Sequence, residues 1–123
     1  MNWKNIAKKY LPENEYLIDT CDSPYEFWLD RFDEFRCFYN DFSRLDEFKR
    51  LFELALYCVH TTENVPAEMS GATWVSFFED IPLTSCIWDK LPSVLAYDEF
   101  TFLSDNGLFN FHRSAKKMIE SYY

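Results

Sequence analysis

SPYEFWLDRFDEFRCFYNDFSRLDEFKRLFELALYCVH, residues 23–60, carries two consecutive helical patterns and decides the fold. Ser23-Pro24 opens the first. A serine oxygen accepts the free amide hydrogens of a first turn, and proline's fixed φ suits the first helical position. Glu26 follows three residues after Ser23, the spacing of a capping box. Tyr25, Trp28, Phe32, Phe35 and Tyr39 then recur at steps of three and four, which places five rings on one helical stripe. Glu26, Asp30, Asp33, Glu34 and Asp41 fall largely elsewhere on the helix, with Arg31 and Arg36 as their nearby cations. The outer side is therefore expected to be an acidic ridge.

Asp41 or Ser43 is positioned to cap the second helix, and Asp46 and Glu47 suit its positive N-terminal end. Leu45, Phe48, Leu51, Phe52, Ala55, Cys58 and Val59 form its apolar face. A junction as short as Asn40 to Ser43 joins antiparallel neighbours, so the two stripes are expected to pack as an αα-hairpin. The expected architecture is all-α: one domain, residues 1–123, a compact bundle of about five to six helices around that hairpin.

Composition supports one folded domain. The chain has 123 residues, 48% hydrophobic and 20% aromatic, enough to bury a continuous core without disulfides or metals. Its two glycines, Gly71 and Gly107, disfavour a hairpin-rich β fold and a phosphate-cradling glycine loop. The formal net charge of −9 repels nucleic-acid phosphates and anionic membranes and favours a cationic partner. Cys21, Cys37, Cys58 and Cys86 have no CxxC spacing, so reduced thiols are expected. The opening MNWKNIAKKY lacks the apolar run of a signal peptide, and no segment approaches the roughly 20 apolar residues of a membrane span. A cytoplasmic location is expected.

Outward from the central pair, Asn2 to Tyr10 reads as a short helix with Trp3, Ile6 and Tyr10 on one face, ended by Leu11-Pro12. From Glu13 through Asp41 nine carboxylates face two arginines, a local balance of −7. Thr61 to Pro66 reads as a loop. Pro66 starts a largely buried helix through Met69, Ala72, Trp74, Val75, Phe77, Phe78 and Ile81, ending before Pro82, with Ser70-Gly71-Ala72 as a patch for close approach. Thr84 or Ser85 is placed to cap a short helix through Ile87, Trp88 and Leu91, and Pro92 starts or breaks the next turn before Val94, Leu95 and Tyr97, an irregular tract. Asp98 to Leu103 is read as helix over strand. Glu79, Asp80, Asp89, Asp98, Glu99 and Asp105 with Lys90 make a second acidic cluster of −5. Asn106-Gly107 marks a turn, and Leu108 to Tyr123 reads as a closing helix with Leu108, Phe111, Ala115, Met118 and Tyr122 inward. Arg113, Lys116 and Lys117 on that helix are expected to pair with the chain's own carboxylates, the N-terminal acidic stretch among them.

Catalytic chemistry finds little footing. Cys58 and His60 lack the second half of a zinc site and diverge by about 200° on a helix. His112 has no nucleophile placed beside it, and there is no GxSxG elbow. Glu26 and Asp30 lack the Glu-x-x-His repeats of a bundle metal site. No enzyme activity, cofactor or metal is expected.

The acidic aromatic helix Glu26 to Asp41 and the tract Ala72-Thr73-Trp74-Val75-Ser76-Phe77-Phe78-Glu79-Asp80-Ile81 make the chain resemble the small acidic helical immunity proteins that bacteria pair with secreted toxin domains, as in contact-dependent growth inhibition and other polymorphic toxin systems. That class has no shared motif, so no residue is carried over. The resemblance implies an inhibitor that binds a cognate toxin domain, often a basic nuclease, through carboxylates imitating phosphate. Glu26, Asp30, Asp33 and Glu34 are the first candidates for the contact, and Asp98, Glu99 and Asp105 the second. A monomer or weak dimer is expected, with no direct nucleic-acid or membrane contact. The competing reading is a regulatory or adaptor module that binds a partner, or itself, through an apolar face.

Overall fold

Trp28, Phe32 and Phe35 of the expected stripe are buried on the helix that begins at Ser23-Pro24, whereas Tyr25 is 39% exposed and Phe27, outside that stripe, is buried instead. The computed structural model describes residues 2–37 and 42–123, the side chain of Phe42 apart. Tyr39, Asn40 and Asp41, assigned above to the aromatic stripe, the junction and the ridge, lie outside the described residues. Among the described residues there is no strand, and the helices are α1 (Trp3–Tyr10), α2 (Glu15–Thr20), α3 (Pro24–Cys37), α4 (Leu45–His60), α5 (Ala67–Ser76), α6 (Leu91–Val94), α7 (Tyr97–Asp105) and α8 (Arg113–Glu120). Eight slightly exceeds the five to six expected, because 3-10 turns divide the irregular tracts.

Two helix starts show a side-chain cap. Asn2 caps α1, its side chain accepting from the Lys4 amide at 2.9 Å. Ser23 Oγ accepts from the Glu26 amide at 3.3 Å, while the Glu26 carboxylate reaches back to the Asp22 amide at 3.0 Å, one residue before the position a regular capping box would use. Arg44, at the end of a 3-10 turn over Phe42–Arg44, stands at the cap of α4 without a side-chain cap hydrogen bond; Asp41, one of the two sequence candidates, lies outside the described residues.

The two central stripes meet at Phe35, whose ring lies 5.0 Å from Phe48 and 5.4 Å from Phe52. The most extensive helix contact is α3 with α5, and α5 also packs on α4. At Gly71 a Cβ would stand 3.6 Å from the Tyr25 hydroxyl, an ordinary van der Waals contact between α5 and α3. On the other side Ser70 Oγ donates to the Cys58 carbonyl at 2.9 Å. The small patch therefore seats α5 against both neighbours.

The helix expected to run from Pro66 to Ile81 ends at Ser76 instead, and residues Phe78–Leu83 form a 3-10 turn that includes Pro82. Phe77, at φ −123° and ψ −68°, is the break. Consecutive helical side chains diverge by about 100°, and leaving the helix here lets Phe77 and Phe78 both reach 0% exposure. Phe77 becomes the hub of the core, with ring centroids 4.8 Å from Trp28, 5.6 Å from Phe32, 5.1 Å from Phe52 and 5.3 Å from Phe78. Offset and edge-on ring pairs of this kind add about 0.5–1.5 kcal/mol each beyond burial.

Asp98 to Leu103 is helical, within α7. Gly107, at φ +95°, is a turn that an L side chain rarely adopts. The chain keeps turning through residue 111, so α8 starts at Arg113 rather than near Leu108. That delay changes which side faces inward: Leu108, Phe109, Ala115 and Ile119 are buried, while Phe111 is 94% exposed, Met118 50% and Tyr122 46%. Of the expected stripe, Leu108 and Ala115 face inward and Phe111, Met118 and Tyr122 do not.

Candidate functional site

The outer arc of α3 is the surface to which the sequence points. At about 100° per residue, Tyr25, Glu26, Leu29, Asp33 and Arg36 share an arc of about 100°, with Asp30 at its edge. Opposite them Phe27, Trp28, Phe32 and Phe35 are held in the core, which locks the orientation of the outer face. Glu26, Asp30 and Asp33 are exposed, and so is Leu29, at 51%. Leu29 had no role in the sequence reading. Its signal was legible: an apolar residue three after Glu26 and four before Asp33, out of phase with the aromatic stripe.

Glu34 does not join the open ridge. It is half-buried in an ion network with Arg31 and with Arg44, whose Nη2 lies 2.5 Å from Glu34 Oε1. Arg31, 8% exposed, donates to Asn14 Oδ1 at 2.5 Å and to Asp30 Oδ1 at 2.6 Å, and Glu47 stands 3.6 Å away. Arg44 binds Glu47 through Nε at 3.1 Å and Nη2 at 3.0 Å. Burial works against the Arg44 charge, but the hydrogen bonds of Glu47 and Glu34 outweigh it and hold the guanidinium above its ordinary pKa. The network ties Asn14, α3 and the start of α4 together. Arg31 sits between Phe27 and Phe35 at i−4 and i+4, so its inward placement was readable, though its partners in other elements were not.

Asp80, in the second acidic cluster, lies within electrostatic reach of Asp33 in the first. Burial raises the pKa of Asp80, and repulsion from Asp33 raises it further against the nearby Arg36. Asp33, on α3, is paired with Arg36 at 3.1 Å. Asp80, beyond the end of α5, thus adds to the negative field around Asp33. The other candidates stand apart from it as α7 residues: Asp98 and Asp105 are exposed, and Glu99 is 2.9 Å from His60 Nε2, whose ring stacks on Phe102 at 4.0 Å.

Elsewhere the chain neutralises its own charge. Lys8 meets Asp19 at 2.6 Å, and Arg50 meets Glu13 at 2.6 Å and Asp46 at 3.0 Å. Glu13 and Asp19 are therefore matched by α4 and α1, not by the C-terminal cations; Lys116 instead reaches Glu120 at 3.9 Å.

Chemistry has no assembled centre at the candidate residues. Among the described residues no group of three or more His, Cys, Asp or Glu could hold a metal, and the four cysteines are free. Burial, partly offset by a hydrogen bond with Thr73, pushes the Cys58 thiol up to about 12, far from the range of a reactive thiolate. The cavities around Arg113, around Glu63 and around Phe111 include neither Asp80 nor His60. No described helix is long and apolar enough to cross a membrane. No protein-family model, curated protein or solved structure matches the chain.

Proposed function

We propose that this chain is a non-enzymatic inhibitor of the immunity-protein kind, which binds a basic toxin domain of nuclease type through the outer arc of α3. The observation that carries this is the exposed Leu29, with Glu26, Asp30 and Asp33 around it and Asp80 extending the negative field. An apolar contact within a charged rim suits a protein interface, and a rim that is acidic on balance, Arg36 notwithstanding, speeds the encounter with a partner of opposite sign. Glu34 serves α3 itself by holding Arg31 and Arg44, so it belongs to the scaffold of this surface.

The test is capture of partners from the source cell with the wild-type chain and with E26K/D30K/D33K, followed by an activity assay of the captured protein. A basic domain inhibited by the wild type, with affinity at least 100-fold weaker for the variant, is the expected result. Equal binding by the two chains would remove the ridge from the account.

A second reading, an adaptor or self-associating module with an apolar interface, is favoured by the exposure of Phe111, Met118 and Tyr122. Ionic strength separates the two, since charge-steered binding weakens with salt and apolar binding does not.

A further inference from the structure

The C-terminal region carries the reverse of the α3 charge. A cavity of about 480 Å³ lies between the end of α7, Asn110 and one side of α8, with Arg113, Lys116 and Lys117 on its wall and Phe109 against its apolar part. In a chain of net charge −9, the arginines find carboxylates within the fold with one exception. Arg31, Arg36, Arg44 and Arg50 all do so. Arg113, the remaining arginine, makes no ion pair among the described residues, and neither does Lys117. Lys116 has only Glu120, at 3.9 Å and about 40% exposed on both sides, a contact of little energy. Three cations against one carboxylate leave the cavity wall net positive. His112 caps α8 without a side-chain hydrogen bond, so the positive end of the helix adds to the same potential.

We propose that this cavity binds a small phosphate-bearing anion. The guanidinium fork of Arg113 matches two phosphate oxygens, while Lys116 and Lys117 supply point charges. More than one positive group selects a multiply charged ligand over a single carboxylate. The volume exceeds the needs of one inorganic phosphate and falls in the range of small-molecule sites, which fits a diphosphate or a nucleoside diphosphate. The site lies outside the α3 ridge and does not depend on the function proposed for it.

The test is an amide-resolved NMR titration of the full chain with inorganic pyrophosphate and, separately, with ADP, each beside sulfate at the same ionic strength. Saturable shifts at residues 110–117 with either phosphate probe, at least tenfold tighter than with sulfate, are expected. R113A/K117A should weaken binding at least tenfold. K9A/K49A, which removes the same charge from exposed lysines elsewhere, should leave it unchanged. Responses no different from sulfate, or equal losses in both variants, would overturn the proposal.

Discussion

Helices α3 and α8 are both amphipathic, yet one is the centre of the molecule and the other its margin. Six of the fourteen residues of α3 are buried, including Trp28 and Phe27 at 0% exposure; in α8 only Ala115 and Ile119 are, of eight. Their outer faces differ in sign as well, acidic on α3 and basic on α8. The contrast teaches that an apolar stripe becomes core only where neighbours close over it from more than one side. Helix α3 has α5 along its length and Phe35 against α4. Helix α8 packs on the 3-10 turns at Phe78–Leu83 and Ser85–Lys90, which cover a narrow strip.

The hardest test of this difference is the ring hub. Phe77→Ala removes the ring shared by Trp28, Phe32, Phe52 and Phe78 and should lower unfolding stability by about 3–5 kcal/mol, read by urea denaturation. A loss below about 1 kcal/mol would mean that α3 and α4 hold together without α5. At the margin, Ile119→Ala should cost about 2–3 kcal/mol, and Met118→Ala or Phe111→Ser within about 0.5 kcal/mol. Comparable losses at residues 118 and 119 would show that the face left exposed in α8 is covered in solution.

The smallest expected effect concerns the acidic side. A carboxyl whose pKa is raised on folding binds protons more tightly in the folded state, so Asp80 costs stability as pH rises from just below the ordinary value of 3.8 through its raised value. Asp80→Asn should remove that slope and raise stability at neutral pH by about 0.5 kcal/mol or less, the exposure of the group limiting the gain. Thermal unfolding between pH 4 and pH 7 checks it. A variant less stable than the wild type at pH 7 would indicate a favourable role for the charge, and would break the picture of mutual repulsion with Asp33.

Much of this organisation is local and was legible in the chain. Steps of three and four among Trp28, Phe32 and Phe35 specify a helix and its inward face, Ser23 sets its start, and Gly107 marks the turn before the last helix, because each depends on side chains only a few residues apart. The acidic ridge followed from the same periodicity. Tertiary structure decided the rest. Phe77 left its helix because burial of two adjacent rings outweighed continued backbone pairing, and Glu34 was drawn from the ridge by Arg31 and Arg44. Helix α8 rotated its face because the turn before it runs through residue 111. Asp33 came within electrostatic reach of Asp80 only through the packing of α5 on α3. These outcomes turn on contacts between distant segments, where the free energy of burial and charge pairing is settled by which surfaces fit, a quantity that spacing along one helix does not contain.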